Sequence, residues 1–63
     1  MRTYLYLLYA EGGELAGLEC GVEINDSRAA AIASRLLSAD SGARSVEVWR
    51  DGRLINFADA ALH

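Results

Sequence analysis

Apolar and polar positions divide this chain into four strands and one helix. Thr3 to Ala10 is crowded with leucine and tyrosine and holds no breaker. It is apolar on both faces, which predicts a strand inside a sheet. Glu11-Gly12-Gly13-Glu14 supplies a turn. Leu18, Cys20, Val22 and Ile24 then alternate with Glu19, Gly21 and Glu23, the period of two expected when one face is buried and the other wet. Gly17 and Gly21 mark this second strand as an edge or a bulge. Asn25, Asp26 and Ser27 offer helix caps, and Ala29, Ile32, Ala33, Leu36 and Leu37 follow at helical spacing on one stripe.

Residues 39–43 read as a loop, with Gly42 expected in the left-handed conformation. Asp51-Gly52 between two β-rich runs is the preferred loop of a type I′ hairpin. A two-residue loop sets Arg50 opposite Arg53, Trp49 opposite Leu54, Val48 opposite Ile55, Glu47 opposite Asn56 and Val46 opposite Phe57. The tail from Ala58 to His63 has room for one helical turn. Short connections favour pairing within each hairpin. The resulting expectation is an α+β fold of ββαββ plan: residues 1–63 form one domain, an antiparallel four-stranded sheet of order 2-1-3-4 with one helix on one face.

A single helix leaves the other face of the sheet bare. Alternation assigns Leu5, Leu7, Leu18, Cys20, Val22, Ile24, Val46, Val48, Ile55 and Phe57 to the helix side. It leaves Tyr4, Tyr6, Leu8, Glu47, Trp49 and Leu54 on the open side, with Glu19 and Glu23 as an acidic rim. Apolar residues bordered by charge on an open sheet face mark an interaction surface, and tryptophan is a frequent anchor of such surfaces. The expected function is therefore that of a noncatalytic protein–protein interaction module, a homodimer or the binder of another protein.

Composition narrows the choice further. A chain of 63 residues hides only about 60% of the surface its unfolded form exposes, so self-association is one way to make good a small core. Its net charge of −3, with six arginines and no lysine, argues against general nucleic-acid binding, which rests on basic residues displacing counterions. No apolar run approaches the roughly 20 residues that span a bilayer. With one cysteine and one histidine, Cys20 and His63, neither an internal disulfide nor a structural zinc site can form. A reducing cytoplasm is the expected location, and no metal or cofactor is expected.

Catalytic chemistry finds little material. Cys20 lies in the apolar phase of its strand without a base beside it. Gly12-Gly13 has no following lysine and no helix to make a phosphate loop. Glu19, Glu23 and Glu47 could gather as an acidic cluster, but solvated carboxylates are the ordinary reading of such positions.

The opening Tyr4-Leu5-Tyr6-Leu7-Leu8, the run Ala29-Ala30-Ala31-Ile32-Ala33 after an acidic cap, and Val46-Glu47-Val48-Trp49-Arg50-Asp51-Gly52-Arg53-Leu54-Ile55 together resemble a group of short, uncharacterised bacterial proteins of ββαββ plan. That resemblance implies the fold and brings no activity with it. In size and charge the chain is also similar to phage-encoded inhibitors such as anti-CRISPR proteins. This second resemblance implies an acidic nucleic-acid mimic that blocks a basic partner through Glu19, Glu23 and Glu47.

Overall fold

The computed structural model describes residues 1–39 and 42–62. Strands β1 (Arg2–Tyr9) and β2 (Leu15–Glu23) form a hairpin, helix α1 (Asp26–Ala39) crosses over, and β3 (Ser45–Arg50) and β4 (Arg53–Asp59) form a second hairpin. A 3-10 turn over Ala60–Leu62 closes the described chain. The sheet order is β2-β1-β3-β4, and every neighbouring pair is antiparallel, as the pattern of the sequence predicts. The doubly apolar β1 lies inside the sheet, and glycine-bearing β2 lies at its edge. The loop expected at 39–43 includes Asp40 and Ser41, and the tail includes His63; these lie outside the described residues.

Local chemistry accounts for each connection. Asp51 and Gly52 both take positive φ, 52° and 74°, the pair of left-handed residues that a type I′ turn requires. The first backbone bond of α1 runs from Ala29 N–H to Asn25 C=O at 3.2 Å. Arg28 N–H also donates to Asn25 Oδ1 at 2.9 Å, so Asn25 is the N-cap. This frees Asp26 for another task.

The core is the layer between α1 and one face of the sheet. Tyr4, Tyr6 and Leu8 from β1, Val46 and Val48 from β3, Ala58 from β4, and Ala29, Ala33 and Leu37 from α1 are buried in it. Ala29 and Ala33 are wholly inaccessible, and their small side chains let the helix lie close over the valines. Ile32, Leu36, Ala43 and Ile55 flank this cluster. The helix is seated chiefly over β3 and β4, and it touches β1 and β2 only lightly.

Two expectations about sidedness are corrected. First, Tyr4, Tyr6 and Leu8 are 1%, 2% and 3% exposed and face the helix, not the open side. The cause is the pairing of β1 with β3, which sets Tyr6 beside Val48 and Leu8 beside Val46. Since β1 is apolar on both faces, either phase would bury carbon, and two particular fits favour the tyrosines. The Tyr4 hydroxyl donates to Asp26 Oδ1 at 2.6 Å, so its polar tip is satisfied at the rim of the core. Gly21 and Gly17 of β2 lie alongside Tyr6 and Leu8, where a Cβ would stand 3.6 Å from the Tyr6 ring and 3.7 Å from Leu8 Cβ. Leu5 and Leu7 accordingly face out, and with them go Leu18, Cys20 and Val22; Ile24, just past the end of β2, is 65% exposed.

Second, the β3–β4 ladder follows the expected register for only two pairs, Arg50 with Arg53 and Trp49 with Leu54. A β-bulge then shifts the pairing so that Val48 meets Asn56, Glu47 meets Phe57 and Val46 meets Ala58. Ile55 is the extra residue. One inserted position reverses the sidedness of everything beyond it, so Ala58 enters the core and Phe57 leaves it, 50% exposed.

Candidate interaction surface

The helix-free face is assembled from rows of residues that the strand register sets side by side. Cys20, Leu5, Trp49 and Leu54 form one row across all four strands, and Leu18, Leu7, Glu47 and Phe57 form the next. Val22 and Thr3 extend the face at one end, while Tyr9, Ser45 and Asp59 extend it at the other. Leu18, Val22, Leu54 and Phe57 are 58%, 53%, 49% and 50% exposed. Leu5, Leu7 and Trp49 between them are half-buried by their neighbours. A shallow depression of about 370 Å³ lies among Thr3, Leu5, Leu7, Cys20 and Trp49, and the Asp51–Gly52 turn borders it.

The second row holds one charged residue, Glu47. Tyr9 O–H and Trp49 Nε1–H donate to the same oxygen, Glu47 Oε1, at 3.0 and 3.1 Å. Among the described residues no donor reaches Oε2. The Glu47 bond, then burial, raises the Tyr9 hydroxyl above the usual tyrosine range, because a phenol that donates to a carboxylate is held in its neutral form.

Of the residues expected on this face, Glu47, Trp49 and Leu54 are present on it. Glu19 and Glu23 do not rim it: they pair with Tyr6 and Arg2 of β1 and so share the helix side of the sheet. The three glutamates expected to act together therefore lie on two faces, and no common acidic surface arises from them. The exposed residues of this face that sequence reasoning assigned to the helix side are Leu18, Cys20, Val22 and Phe57. Alternation in β2 was legible, but its sense was inverted: the apolar phase is the one left bare, and the glycine and glutamate phase lies toward the helix.

A second cluster ties the helix start to the sheet. Besides the Tyr4 bond, Asp26 Oδ1 accepts from Arg50 Nε at 3.2 Å and pairs with Arg2 Nη1 at 3.6 Å. The Tyr4 hydrogen bond, followed by the Arg50 bond and the two arginine charges, holds the Asp26 carboxyl below its ordinary range against the opposing effect of burial. Asp26 also stands in the first turn of α1, where negative charge complements the helix dipole. This arrangement is a structural clamp. Cys20 is exposed, and among the described residues no group of three His, Cys, Asp or Glu side chains could hold a metal ion.

Fold and surface together define a small ββαββ domain with one covered and one uncovered sheet face. Comparison with protein-family models, curated proteins and solved structures returns no match. Among the described residues no helix is long and apolar enough to cross a membrane.

Proposed function

We propose that this protein is a noncatalytic interaction module that self-associates through the helix-free face of its sheet, its partner being a second copy of the same chain. The observation that carries this reading is the imbalance between the two faces. Among the described residues the buried core contains nine, three of them alanine, whereas Leu18, Val22, Leu54 and Phe57 keep about half of their surface or more in water on the other side. Exposed apolar patches of several hundred Å² mark interaction sites.

Area permits a second copy as a weakly held occupant. Four strands about 4.8 Å apart and about seven residues long, at about 3.3 Å per residue, give a footprint of roughly 450 Å². Two such faces bury roughly 900 Å² in total, below the roughly 1,200 Å² of stable specific interfaces and in the range of weak, reversible association. The compartment we assign is the reducing cytoplasm, in keeping with a single cysteine.

Sedimentation equilibrium from low to high micromolar concentration tests the reading. A monomer–dimer equilibrium is expected, and Leu18→Glu combined with Val22→Glu should leave a folded monomer. Sedimentation of the unaltered chain as a monomer throughout that range overturns the proposal.

A further inference from the structure

We propose that the free edge of β2 takes up an extended segment of another protein as a fifth strand, one whose residues alternate between apolar and basic. This edge is distinct from the helix-free face, and its occupation does not depend on the pairing of copies proposed above. β2 lies at the margin of the sheet and pairs with β1 alone, so every second residue along it turns its N–H and C=O outward with no strand to receive them. Such a row accepts an added strand, and natural edges are blunted against it by proline, lysine, bulges, shortness or an overlying helix. β2 has little of this protection. Its irregularity lies near the first turn, between the pairs Leu8–Gly17 and Tyr9–Leu15, and the seven residues 17–23 pair without interruption. The chain contains no proline and no lysine, and α1 sits chiefly over β3 and β4.

Side chains along the edge choose the partner. On the helix-free side stand Leu18 and Val22, 58% and 53% exposed, with exposed Cys20 between them. On the other side glycine and glutamate alternate as Gly17, Glu19, Gly21 and Glu23. Among the described residues neither glutamate makes an ion pair or a side-chain hydrogen bond, and Arg2, directly across from Glu23, pairs with Asp26 instead. Every position that an added strand presents on this side lies directly opposite or diagonal to a glutamate, within reach of a long side chain. Beside Gly17 and Gly21, β2 has no side chain of its own, so a cationic stem can lie there; Glu23 Oε2 is already 4.0 Å from where a Cβ of Gly21 would stand. Arginine or lysine at every second position of the incoming strand therefore meets Glu19 and Glu23, and apolar residues between them extend the row of Leu18, Cys20 and Val22.

The same glutamates set β2 against a copy of itself. Antiparallel pairing centred on Glu19 or on Gly21 puts glutamates directly opposite each other, which is destabilising. Centring on Cys20 sets each glutamate beside a glycine, yet the carboxylates of the two copies then form a zigzag of diagonal neighbours with no cation between the strands. β4, the other edge, is bent by its bulge at Ile55 and holds one basic residue, Arg53, so head-to-tail pairing of copies brings one cation to two carboxylates. A foreign basic strand satisfies both, and repulsion of the chain's own edges adds to its selection.

The test uses the full chain and a short end-blocked peptide alternating valine and arginine, with binding followed by NMR chemical shifts and amide hydrogen exchange. Saturable binding is expected, with new protection at alternate amides within residues 17–23. Glutamine in place of the peptide's arginines, or Glu19→Gln combined with Glu23→Gln in the chain, is expected to weaken binding about fivefold, the loss of two exposed ion pairs. Methylating the peptide nitrogens that face β2 is expected to weaken binding at least about 30-fold by removing backbone hydrogen bonds, whereas methylating the alternate set should have little effect. Equal effects of the two methylated sets, or protection on α1 or β4 in place of β2, would reveal diffuse charge attraction and overturn the proposal. Protection of the β2 edge that grows with protein concentration in the absence of peptide would also overturn it, because the occupant is then a second copy.

Discussion

Phe57 gives the sharpest separation between folding and assembly. The bulge at Ile55 turns it onto the helix-free face with half of its surface still in water. An aromatic side chain buries about 150–250 Å² when fully covered, so about 100 Å² per copy remains for a partner to cover. At about 25 cal/mol per Å² that is about 2.5 kcal/mol per copy, or about 5 kcal/mol for a symmetric pair. Association returns only part of such an area-based sum. Phe57→Thr, which preserves β propensity, should therefore raise the dimer dissociation constant by about 100-fold, equivalent to about 2.7 kcal/mol. The monomer should be affected by less than about 1 kcal/mol, since a half-exposed side chain leaves no cavity. Sedimentation equilibrium supplies the first quantity, and urea denaturation at a concentration where the chain is monomeric supplies the second. An unchanged dissociation constant would refute the reasoning about the face. A loss of monomer stability of about 3–5 kcal/mol, typical of a truncated core aromatic, would refute the register.

The other predictions concern the covered side. Tyr6 is 2% exposed and its hydroxyl has no hydrogen-bond partner among the described residues, so Tyr6→Phe should be neutral or stabilising by up to about 1 kcal/mol. Tyr4→Phe, which breaks the bond to Asp26, should be the more harmful of the two in parallel denaturation curves. Gly21→Ala should stabilise edge strand β2 by about 0.5–1 kcal/mol, because the new methyl meets the Tyr6 ring at an ordinary 3.6 Å; a lower melting temperature would count against that packing. The Asp26 carboxyl is lowered in the fold, so its contribution is present above the ordinary carboxylate range and is lost as pH falls through the folded value. Asp26→Asn should accordingly flatten the acid limb of the stability profile. All three tyrosines are raised above the ordinary 10.0, Tyr4 and Tyr6 chiefly by burial and Tyr9 chiefly by its bond to Glu47. Their contribution is full below that value and is lost as pH rises through the folded ones, so phenolate absorbance should lag free tyrosine and climb together with alkaline unfolding.

Element order, strand order and the Asp51–Gly52 turn were legible because each rests on local chemistry: an uninterrupted β-rich run, a capped alanine helix and a pair of left-handed residues. The choice of buried face was not legible. Leu5 and Leu7 are as apolar as Tyr4 and Tyr6, so hydrophobicity along β1 weighs both sides equally. The decision comes from partners remote in sequence: Val46 and Val48 beside the tyrosines, Asp26 at the tip of Tyr4, and glycine in β2 where the rings and Leu8 need room. The bulge was hidden for a related reason. Asn56 alone in Leu54-Ile55-Asn56-Phe57 is disfavoured in strands, too slight a signal to place an extra residue, and the irregularity turns Asn56 to the helix side beside Val48 while letting small Ala58 fit beneath the helix. The candidate surface was therefore read correctly at Trp49, Leu54 and Glu47, which lie close to the turn that fixed their phase, and incorrectly along β1, where no turn fixes it.

That extra residue in β4 also bears on how such a protein could change its habits over time. Removing the Ile55 codon would straighten the ladder and leave the later pairs as they are, Asn56 beside Val48, Phe57 beside Glu47 and Ala58 beside Val46. An in-frame loss of that residue would thus be silent at the uncovered face, whose side chains all keep their places, and the extra position is free to come and go without disturbing what the surface presents.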